Sequence, residues 1–408
     1  MPSPSDIEHV ASDLLATRNS RLVSCKTLQS LWAGYGTICR LQTASQDDNT
    51  ADTSVILKYI TPPHSSSSKP DEGHLRKILS YQVEQIFYTR LAPQMPPEIS
   101  VASCLASINT KSASNGSSAE VKTAMVLTDL RESFPMAGEK RGALTNTQVH
   151  AALEWLANFH GFWWKRVDKF DRKKLIRAPL EHLREHGNAV IEEDEDPRLW
   201  LNGGYTYLAT RLGEYASLKE EGEGSEWAEA LCEPLAGQEL TVAELVARVL
   251  APASGSGAVR NGGLSRYETL IHGDVKSENL FTNEKGTKVA FYDFQYVGLG
   301  LGVCDLAKLF TCSVPISMLG FDRRGGDVIP MLEGEEKLLW SYLGEVQRVS
   351  GLSYEWDIFV RHWETALVDW LRFQASWGFW GNTEWLEGRV RSILEDGDWK
   401  TWLQASAK

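Results

Sequence analysis

The stretch from residue 271 to residue 297 constrains this chain most, because it places two acids and an amide at fixed spacing. Asp274 opens a polar loop after an apolar pair of residues, and Asn279 follows it by five positions. A turn at residues 283–286 leads into a strand-like run that ends in a second acid, Asp293, nineteen positions after Asp274. A β-hairpin whose acids only cap turns is the alternative. The combined spacing of the three side chains favours a chemical site over that hairpin.

Phosphoryl transfer from ATP needs few groups, but it needs them at fixed places. One carboxylate must orient the acceptor hydroxyl and take its proton, and a second carboxylate with an amide oxygen must hold Mg²⁺ on the phosphates. Asp274, Asn279 and Asp293 supply that set. Lys276, two positions after Asp274, is placed to reach the transferred phosphoryl group and to offset its charge.

The same stretch resembles the aminoglycoside phosphotransferase and choline kinase-like superfamily, in which H-G-D-x-x-x-x-N precedes a strand that ends in a metal-binding Asp. The resemblance implies Asp274 as the catalytic acid/base and Asn279 and Asp293 as Mg²⁺ ligands. The Asp-Phe-Gln at 293–295 is similar to the ecdysteroid kinase-like branch. Lys276 is less usual for antibiotic kinases and is similar to the D-x-K-x-x-N of protein kinases. The implied fold is α+β and bilobal, protein-kinase-like, with a small β-rich N-lobe containing one long helix and a larger, mainly helical C-lobe.

Three residues near the N-terminus are candidates for contact with phosphates. Gly34 and Gly36 lie between strand-like runs, where their backbone amides would be able to approach phosphates. An ordinary hairpin turn explains two glycines equally well. Lys58 is a lone cation in the apolar strand predicted over 54–60. It is either a solvent-facing residue of an edge strand or the lysine that contacts the α- and β-phosphates.

A helix predicted over 74–91 supplies a partner for that lysine. Glu84 sits near its apolar face, where an unpaired carboxylate would be costly. Taken alone, Glu84 fits a solvated helix position. Together with the downstream motifs, we favour an ion pair between Lys58 and Glu84, which would hold the lysine toward the phosphates as in kinases.

Two further strands are predicted over 98–105 and 121–127, with a Ser- and Asn-rich loop over 107–119 between them. The segment that follows resembles the connection between the lobes of kinase-fold proteins, whose backbone bonds adenine. Leu127 and Asp129 are therefore nucleotide-binding candidates. We predict an N-lobe over 1–128 that binds nucleotide phosphates, and a C-lobe over 129–408 that holds the catalytic loop, the metal site and the acceptor pocket.

The predicted C-lobe is mainly helical. A helix over 145–165 contains His160, which we interpret as structural. Asp305 begins another helix, where we expect it to cap that helix, to steady the loop around Asp274 by hydrogen bonds, or to do both. Further helical patterns occur around 176–186, 197–217, 226–232 and 239–250.

Tryptophans recur every seven residues in a helix predicted over 355–377, at positions 356, 363, 370 and 377. This spacing is typical of one helix face, so core packing is the favoured interpretation. The alternative is an aromatic wall beside the acceptor, able to hold an ammonium group or a flat hydrophobic ring.

Composition excludes several classes of partner. The net charge of −12 argues against nucleic acid, since phosphate backbones select basic surfaces. No run approaches the ~20 apolar residues of a membrane span, and no secretory signal is evident, so we expect no membrane association. The six cysteines form no C-x-x-C pair and are expected to be reduced thiols of a cytoplasmic protein. The oligomeric state is not predicted.

The combined prediction is an ATP- and Mg²⁺-dependent kinase that phosphorylates a hydroxyl of a small-molecule acceptor. The acceptor candidates are an amino alcohol, a steroid-like alcohol, a sugar and an aminoglycoside-like compound. One alternative is a non-catalytic, kinase-fold nucleotide-binding module, although such a module is expected to have lost at least one of the site residues. A protein kinase is less favoured, because only twelve positions separate Asp293 from Asp305, too few for an activation segment.

Overall fold

The computed structural model describes residues 3–45, 53–63, 72–112, 120–186, 198–252, 264–322 and 326–408. These residues form two compact units. The first unit contains the described residues up to Pro96 together with Val101–Ser133. The second unit contains Pro97–Ser100 and the described residues from Phe134 onward. Which unit binds nucleotide and which binds the acceptor stays a prediction.

The first unit is built on a five-stranded antiparallel sheet with one helix before it and one inserted between its third and fourth strands. Its elements are α1 (Pro4–Ala16), β1 (Ser20–Ser30), β2 (Gly36–Ser45), β3 (Thr53–Ile60), α2 (Glu72–Ile86), β4 (Cys104–Ser112) and β5 (Glu120–Thr128). The strands lie in the order β1-β2-β3-β5-β4, so β3 is the central strand. A π-helical turn, Phe87–Leu91, follows α2, and the two together cover the helix predicted over 74–91.

Helix α1 covers one face of this sheet. It begins with a capping box in which the Ser3 hydroxyl accepts from the Asp6 amide and the Asp6 carboxylate accepts from the Ser3 amide. Its apolar face joins the sheet in one buried cluster that includes Ile7, Leu14 and Leu57. That cluster takes the apolar side chains of the central strands out of water, which is the main source of stability in a small layered unit.

Strand β4 differs from its prediction. The sequence predicted a strand over 98–105 and a loop over 107–119, whereas β4 runs from Cys104 to Ser112. It pairs with β5 from Cys104 opposite Leu127 to Ser112 opposite Glu120. Backbone pairing with a neighbouring strand therefore places this Ser- and Asn-containing segment in the sheet, against its own weak β-propensity. Residues 113–119 lie outside the described residues.

The second unit is mainly helical and carries two small sheets. Its strands are β6 (Met136–Ala137), β7 (Glu268–Ile271), β8 (Leu280–Thr282), β9 (Val289–Phe291) and β10 (Gly298–Leu301). One sheet has the order β6-β8-β9, and the other pairs β10 with β7. Its helices are α3 (Asn146–Trp164), α4 (Pro179–His186), α5 (Leu212–Glu221), α6 (Glu226–Cys232), α7 (Val242–Leu250), α8 (Val303–Cys312), α9 (Glu333–Ser350), α10 (Trp356–Trp377), α11 (Thr383–Glu395) and α12 (Gly397–Ser406).

Helix α3 supports the strands that carry the predicted site. Thr145 caps it in a second capping box. The Trp155 ring lies 4.7 Å from the ring of Phe291 at the end of β9, and the Phe159 ring lies 6.1 Å from that of Phe294. These aromatic contacts fix the position of the turn at residues 292–296.

The helix predicted over 197–217 is only partly correct, because α5 begins at Leu212. Residues 199–204 pair with other segments, and a short 3₁₀ turn, Leu208–Thr210, separates them from α5. The amide of Leu201 donates to the carbonyl of Ile176 at 2.7 Å, and the amide of Gly203 donates to that of Leu299 at 2.7 Å. These long-range backbone bonds replace the i to i−4 bonds of a helix.

Candidate active site

One buried carboxylate holds the loop that follows β7, residues 272–279. Asp305 Oδ2 accepts from the amide of His272 at 2.7 Å, and Oδ1 accepts from the amide of Gly273 at 2.9 Å. Asp305 lies in the first turn of α8, whose N-cap is Gly302 and has no side-chain cap bond. The predicted capping role of Asp305 is therefore wrong, whereas its predicted hydrogen bonds to the loop are present.

The imidazole of His160, on α3, completes this arrangement. Its Nε2 lies 3.2 Å from Asp305 Oδ2, and its Nδ1 lies 2.7 Å from the hydroxyl of Tyr342. His160 is 1% exposed. Because every contact of the ring is to a buried supporting group, the structural interpretation of His160 fits its surroundings.

Gly273 has no room for a side chain. Its φ is +85°, and an added Cβ would lie 2.5 Å from the carbonyl oxygen of Tyr296 and 2.7 Å from the amide of Gly204. The same Gly204 amide donates to the Tyr296 carbonyl at 2.9 Å. The loop is therefore backed by two other backbone segments in direct contact, and glycine is required at its centre.

The carboxylate of Asp274 is held through one of its two oxygens. Asn279 Nδ2 donates to Oδ2 at 2.9 Å and to the Asp274 carbonyl at 2.8 Å. The ammonium of Lys276 lies 3.1 Å from the same Oδ2. Among the residues that the structure describes, none donates a hydrogen bond to Oδ1. The carboxylate is thus fixed in orientation and keeps one oxygen for an external hydroxyl.

Lys276 lies between two acids. Its ammonium is 3.1 Å from Asp274 Oδ2 and 3.1 Å from Glu278 Oε1. Burial acts to lower the pKa of Lys276, but the charges of Asp274 and Glu278 outweigh burial and raise this pKa above its ordinary value. Lys276 is therefore a fixed positive charge beside the carboxylate at neutral pH.

The pairing of β8 with β9 brings the second acid to the loop. Leu280 lies opposite Phe291, and the amide of Tyr292 donates to the carbonyl of Asn279 at 3.0 Å. Asp293 follows directly and has a φ of +66°. A left-handed backbone is uncommon for a residue other than glycine and is concentrated at functional sites.

His272 lies between the two acids of the motif. Its Nε2 is 2.9 Å from the carbonyl of Tyr292, and its Nδ1 accepts from the amide of Asp274 at 3.2 Å. These contacts fit a neutral ring protonated at Nε2. Burial lowers the pKa of His272, and the carboxylates of Asp305, Asp274 and Asp293 oppose that shift without reversing it. Asp274 and Asp293 are thus both near enough to act on one imidazole.

The oxygens at this site fit magnesium. Asn279 uses its Nδ2 on Asp274, which leaves its Oδ1 for a cation, and Asp293 adds a carboxylate. Mg²⁺ commonly takes one or two protein ligands and completes its shell with water and phosphate oxygens. The described part of the chain contains no group of three or more His, Cys, Asp or Glu that could hold a metal, and a two-ligand magnesium site needs none.

A family comparison agrees with this geometry. The sequence model of the phosphotransferase enzyme family matches residues 211–331 of the chain. That segment contains the loop 272–279, Asp293 and Asp305. Over those residues the chain is similar to phosphotransferases. The predicted superfamily and the predicted α+β, kinase-like fold class are confirmed. The ecdysteroid kinase-like branch stays a prediction.

Several solved structures align with this chain over nearly its whole length at low identity. A microcompartment-associated aminopropanol kinase is 12% identical with a TM-score of 0.44, and 99% of each chain is covered. A choline kinase from Cryptosporidium parvum Iowa II is 10% identical with a TM-score of 0.40, covering 98% of this chain and 95% of that one. A macrolide 2′-phosphotransferase from Brachybacterium faecium is 11% identical with a TM-score of 0.39 and 98% coverage of each chain. Comparison with curated proteins gives no match.

The first unit of the protein contains the predicted lysine–glutamate pair. Lys58 Nζ donates to Glu84 Oε2 at 2.5 Å, and both side chains are buried. Lys58 lies on β3, in the centre of the sheet. The alternatives of a solvent-facing lysine on an edge strand and a solvated glutamate are therefore wrong.

Gly34 lies in the connection between β1 and β2, and Gly36 is the first residue of β2. Gly36 is needed for close strand packing, because an added Cβ would lie 2.1 Å from the carbonyl oxygen of Tyr59. Gly34 has a φ of +75° and open space around it. The predicted approach of their amides to phosphates stays a prediction.

Leu127 and Asp129 lie at the end of β5. Leu127 is opposite Ile56 in β3 and Cys104 in β4. The Asp129 carboxylate accepts from Arg40 Nε at 3.0 Å and from Ser54 Oγ at 2.8 Å. The side chain of Asp129 is therefore used inside the first unit, and the adenine contact predicted for this backbone stays a prediction.

The tryptophans of α10 have different environments. Trp363 and Trp370 are buried, Trp356 stacks on Trp340 with ring centroids 4.0 Å apart, and Trp377 is exposed. Core packing therefore describes the middle of the helix. Trp370 also lines a cavity of about 300 Å³.

Sequence reasoning missed one buried residue beside the loop. Lys308 on α8 is 6% exposed, donates to the carbonyl of Gly273, and lines the same cavity. Its signal in the sequence is a single cation within the apolar run 306–310. The same kind of signal, a lone cation among apolar residues, made Lys58 a candidate.

The composition led to expectations about the cysteines and about membrane-spanning segments. The six cysteines are free thiols. Within the described residues, every helix is too short or too polar to cross a lipid bilayer. The cytoplasmic location stays a prediction.

Proposed function

We propose that this protein moves the γ-phosphoryl group of ATP to a hydroxyl of a small organic acceptor. The observation that carries the proposal is the carboxylate of Asp274. Asn279 and Lys276 hold its Oδ2, and its Oδ1 is available to an acceptor hydroxyl. A base that is fixed by two neighbours loses little orientational freedom when the acceptor binds.

In the proposed step, the acceptor oxygen attacks the γ-phosphorus while Asp274 Oδ1 takes the hydroxyl proton. The bond between the γ-phosphorus and the bridging oxygen breaks, and its electron pair leaves with ADP. Lys276 supplies positive charge beside the carboxylate, where the negative phosphoryl group would arrive. Positioning and charge stabilisation account for most of the catalysis in reactions of this class.

Asn279 Oδ1 and the Asp293 carboxylate would hold Mg²⁺, which when bound neutralises and orients the phosphates. Lys58, oriented by Glu84, would contact the α- and β-phosphates. The amides of Gly34 and Gly36 would approach phosphates, and the backbone of Leu127 and Asp129 would bond adenine. These nucleotide assignments rest on the resemblance of the sequence motifs.

A small molecule is favoured over a peptide as acceptor by the short connection after Asp293. Within it, β10 pairs back onto β7, and α8 begins at Val303. The backbone from Gly298 onward is therefore committed to sheet and helix, which leaves little chain for a peptide-binding platform.

The test is ADP release in the Asp274→Asn variant over a panel of small alcohols, with ATP affinity measured by calorimetry. We expect ADP release with an active acceptor to fall by about 10² to 10⁴, because the amide cannot take the proton. The affinity for ATP should stay close to the wild-type value. Glu284→Gln, an exposed acid in the nearby turn, is the matched control. Full turnover in Asp274→Asn would contradict the proposed role.

A further inference from the structure

A cavity of about 300 Å³ lies within the second unit, next to the catalytic loop. Its wall includes residues of α4, α7, α8 and α10 and of the segment 201–209. Lys308 belongs to this wall and donates to the carbonyl of Gly273, the residue before Asp274. A volume of this size accepts a small organic molecule.

Lys308 brings a buried positive charge to the cavity. Its hydrogen-bond partner is a carbonyl, and it forms no ion pair with a carboxylate among the described residues. The rings of Tyr205 and Trp370 lie 5.6 Å and 5.8 Å from its ammonium nitrogen. An ammonium ion has three donors, so two of them remain for a ligand. A buried charge of this kind is costly unless something pairs with it.

The other buried charged groups near the cavity have hydrogen-bond partners of their own. Asp369, in the wall, accepts through Oδ1 from Arg372 Nε at 3.0 Å and from Nη2 at 2.9 Å. Asp305, on the same helix as Lys308, uses its oxygens on His160 and the loop amides. Burial raises the pKa of the Cys304 thiol, also in the wall, to about 12, so this thiol is neutral.

Two further charged residues in the wall have opposite signs. Arg177 and Glu181 both line the cavity, and Arg177 pairs with Glu185 at 3.4 Å. The side chain of Arg177 is 34% exposed and that of Glu185 is 46% exposed. Water and salt therefore weaken the field of this pair. Lys308 remains the deeply buried cation of the wall, and among the described residues no carboxylate lies within ion-pair distance of its ammonium. Asp305, three positions earlier on α8, interacts with Lys308 at longer range.

A second unused donor lies in the same wall. The indole Nε1 of Trp370 is buried and has no hydrogen-bond partner within the described structure. Trp370 itself is 5% exposed. Two buried donors in one wall favour a ligand that presents oxygen acceptors.

We propose that this cavity binds the acceptor through an oxyanion placed on Lys308, and that the acceptor is a small hydroxy carboxylate. The phosphorylation of its hydroxyl rests on the function proposed above, whereas the binding of its carboxylate to Lys308 does not. Because Lys308 also bonds the carbonyl of the residue before Asp274, the bound oxyanion would lie beside the catalytic loop. A cationic amino alcohol would meet a like charge in the same place.

The test measures binding to the full chain without nucleotide, by calorimetry, for three matched probes. They are 4-hydroxybutanoate, 4-hydroxybutanamide and 4-aminobutan-1-ol, which share one carbon chain and differ in the charge of one end. We expect the carboxylate to bind about tenfold more tightly than the amide, because its hydrogen bond to the ammonium is charge-assisted. The amino alcohol should bind most weakly.

Lys308→Gln removes the charge and keeps a donor for the Gly273 carbonyl. In this variant we expect the preference for the carboxylate over the amide to disappear, while affinity for the amide stays close to wild type. Lys308→Arg should keep the order of the three probes. Lys337→Gln, an exposed lysine on α9, is the matched control and should change nothing.

The inference is overturned if the amino alcohol binds as tightly as the carboxylate, if Lys308→Gln keeps the preference, or if none of the three probes binds. The binding result is separable from the proposed function. Binding of the carboxylate in the expected order, with no phosphate ester formed when ATP is added, would contradict the phosphoryl transfer and support the cavity assignment.

Discussion

Two buried lysines of this protein have hydrogen-bond partners of different charge. Lys58 in the first unit and Lys308 in the second are each 6% exposed. The ammonium of Lys58 lies 2.5 Å from a carboxylate oxygen of Glu84, whereas that of Lys308 donates to the carbonyl of Gly273. The ammonium of Lys58 is therefore paired directly with a carboxylate of its own unit, whereas the direct partner of Lys308 is an uncharged carbonyl.

The difference teaches that burial alone does not assign a role to a lysine. A lysine matched by glutamate is held in one direction by its partner, and it becomes costly as soon as that partner is lost. A lysine held by a carbonyl keeps its net charge and so favours an anionic ligand. The following variants test each half of this comparison, from the largest expected effect to the smallest.

Glu84→Ala should have the largest effect on stability. It removes the carboxylate that pairs directly with the buried ammonium of Lys58, and breaking a buried pair by removing one partner costs about 3–5 kcal/mol. Urea unfolding followed by circular dichroism measures the change. The double variant Lys58→Met with Glu84→Leu should recover most of the stability, since an apolar pair of similar volume replaces a buried ion pair at little cost, but it should not recover kinase activity. A double variant as unstable as Glu84→Ala would show that charge matching is not the cause.

Asp305→Asn should have an intermediate effect, in the second unit. One oxygen of the carboxylate becomes an NH₂ group, so one of the loop amides that it accepts from is left unsatisfied. An unsatisfied buried donor costs about 1–3 kcal/mol. Unfolding measures the stability, and amide hydrogen exchange at His272 and Gly273 measures the loop directly. Unchanged exchange at these two amides would contradict the holding role of Asp305.

The smallest effect on stability should come from the titration of His362, a buried base on α10 with no counter-charge among the described residues. Burial lowers the pKa of His362 to about 3 from its ordinary 6.5. Between these values the unfolded chain binds a proton that the folded chain does not, so stability falls as pH falls below 6.5. We expect this residue to contribute a loss of about 1 kcal/mol between pH 7.5 and pH 5.5. The slope of stability against pH should be shallower in His362→Gln; equal slopes in the two proteins would contradict this assignment.

The sequence was informative where the signal is local. The five-residue spacing of Asp274 and Asn279 and the cap at Thr145 are set by neighbouring residues, and the structure has both contacts. The Lys58–Glu84 pair was predictable because each residue is a charge in an apolar pattern. Each such charge needs a partner, and the two patterns lie on adjacent elements of a recognisable motif.

The rest was not predictable because it depends on distant chain. Strand β4 is placed by pairing with β5, and residues 199–204 by backbone bonds to residues 176 and 296–299. Lys308 has its partner 35 positions earlier in the sequence, so its burial gave no local signal of what it contacts. For the same reason, the prediction for Asp305 was only half correct. Its position at the start of a helix suggests a cap, but its hydrogen-bond partners are amides of the loop that follows β7.

The central claim is that a phosphoryl group is transferred to an oxygen of a small molecule with Asp274 as the base. Its most direct test is ³¹P NMR of the wild-type chain incubated with ATP, Mg²⁺ and a pool of amino alcohols, sugars and hydroxy acids. The account predicts ADP and a new phosphomonoester resonance in equal amounts, both formed about 10² to 10⁴ times more slowly in Asp274→Asn. Release of inorganic phosphate alone, or a phosphomonoester formed equally well by the variant, would contradict it.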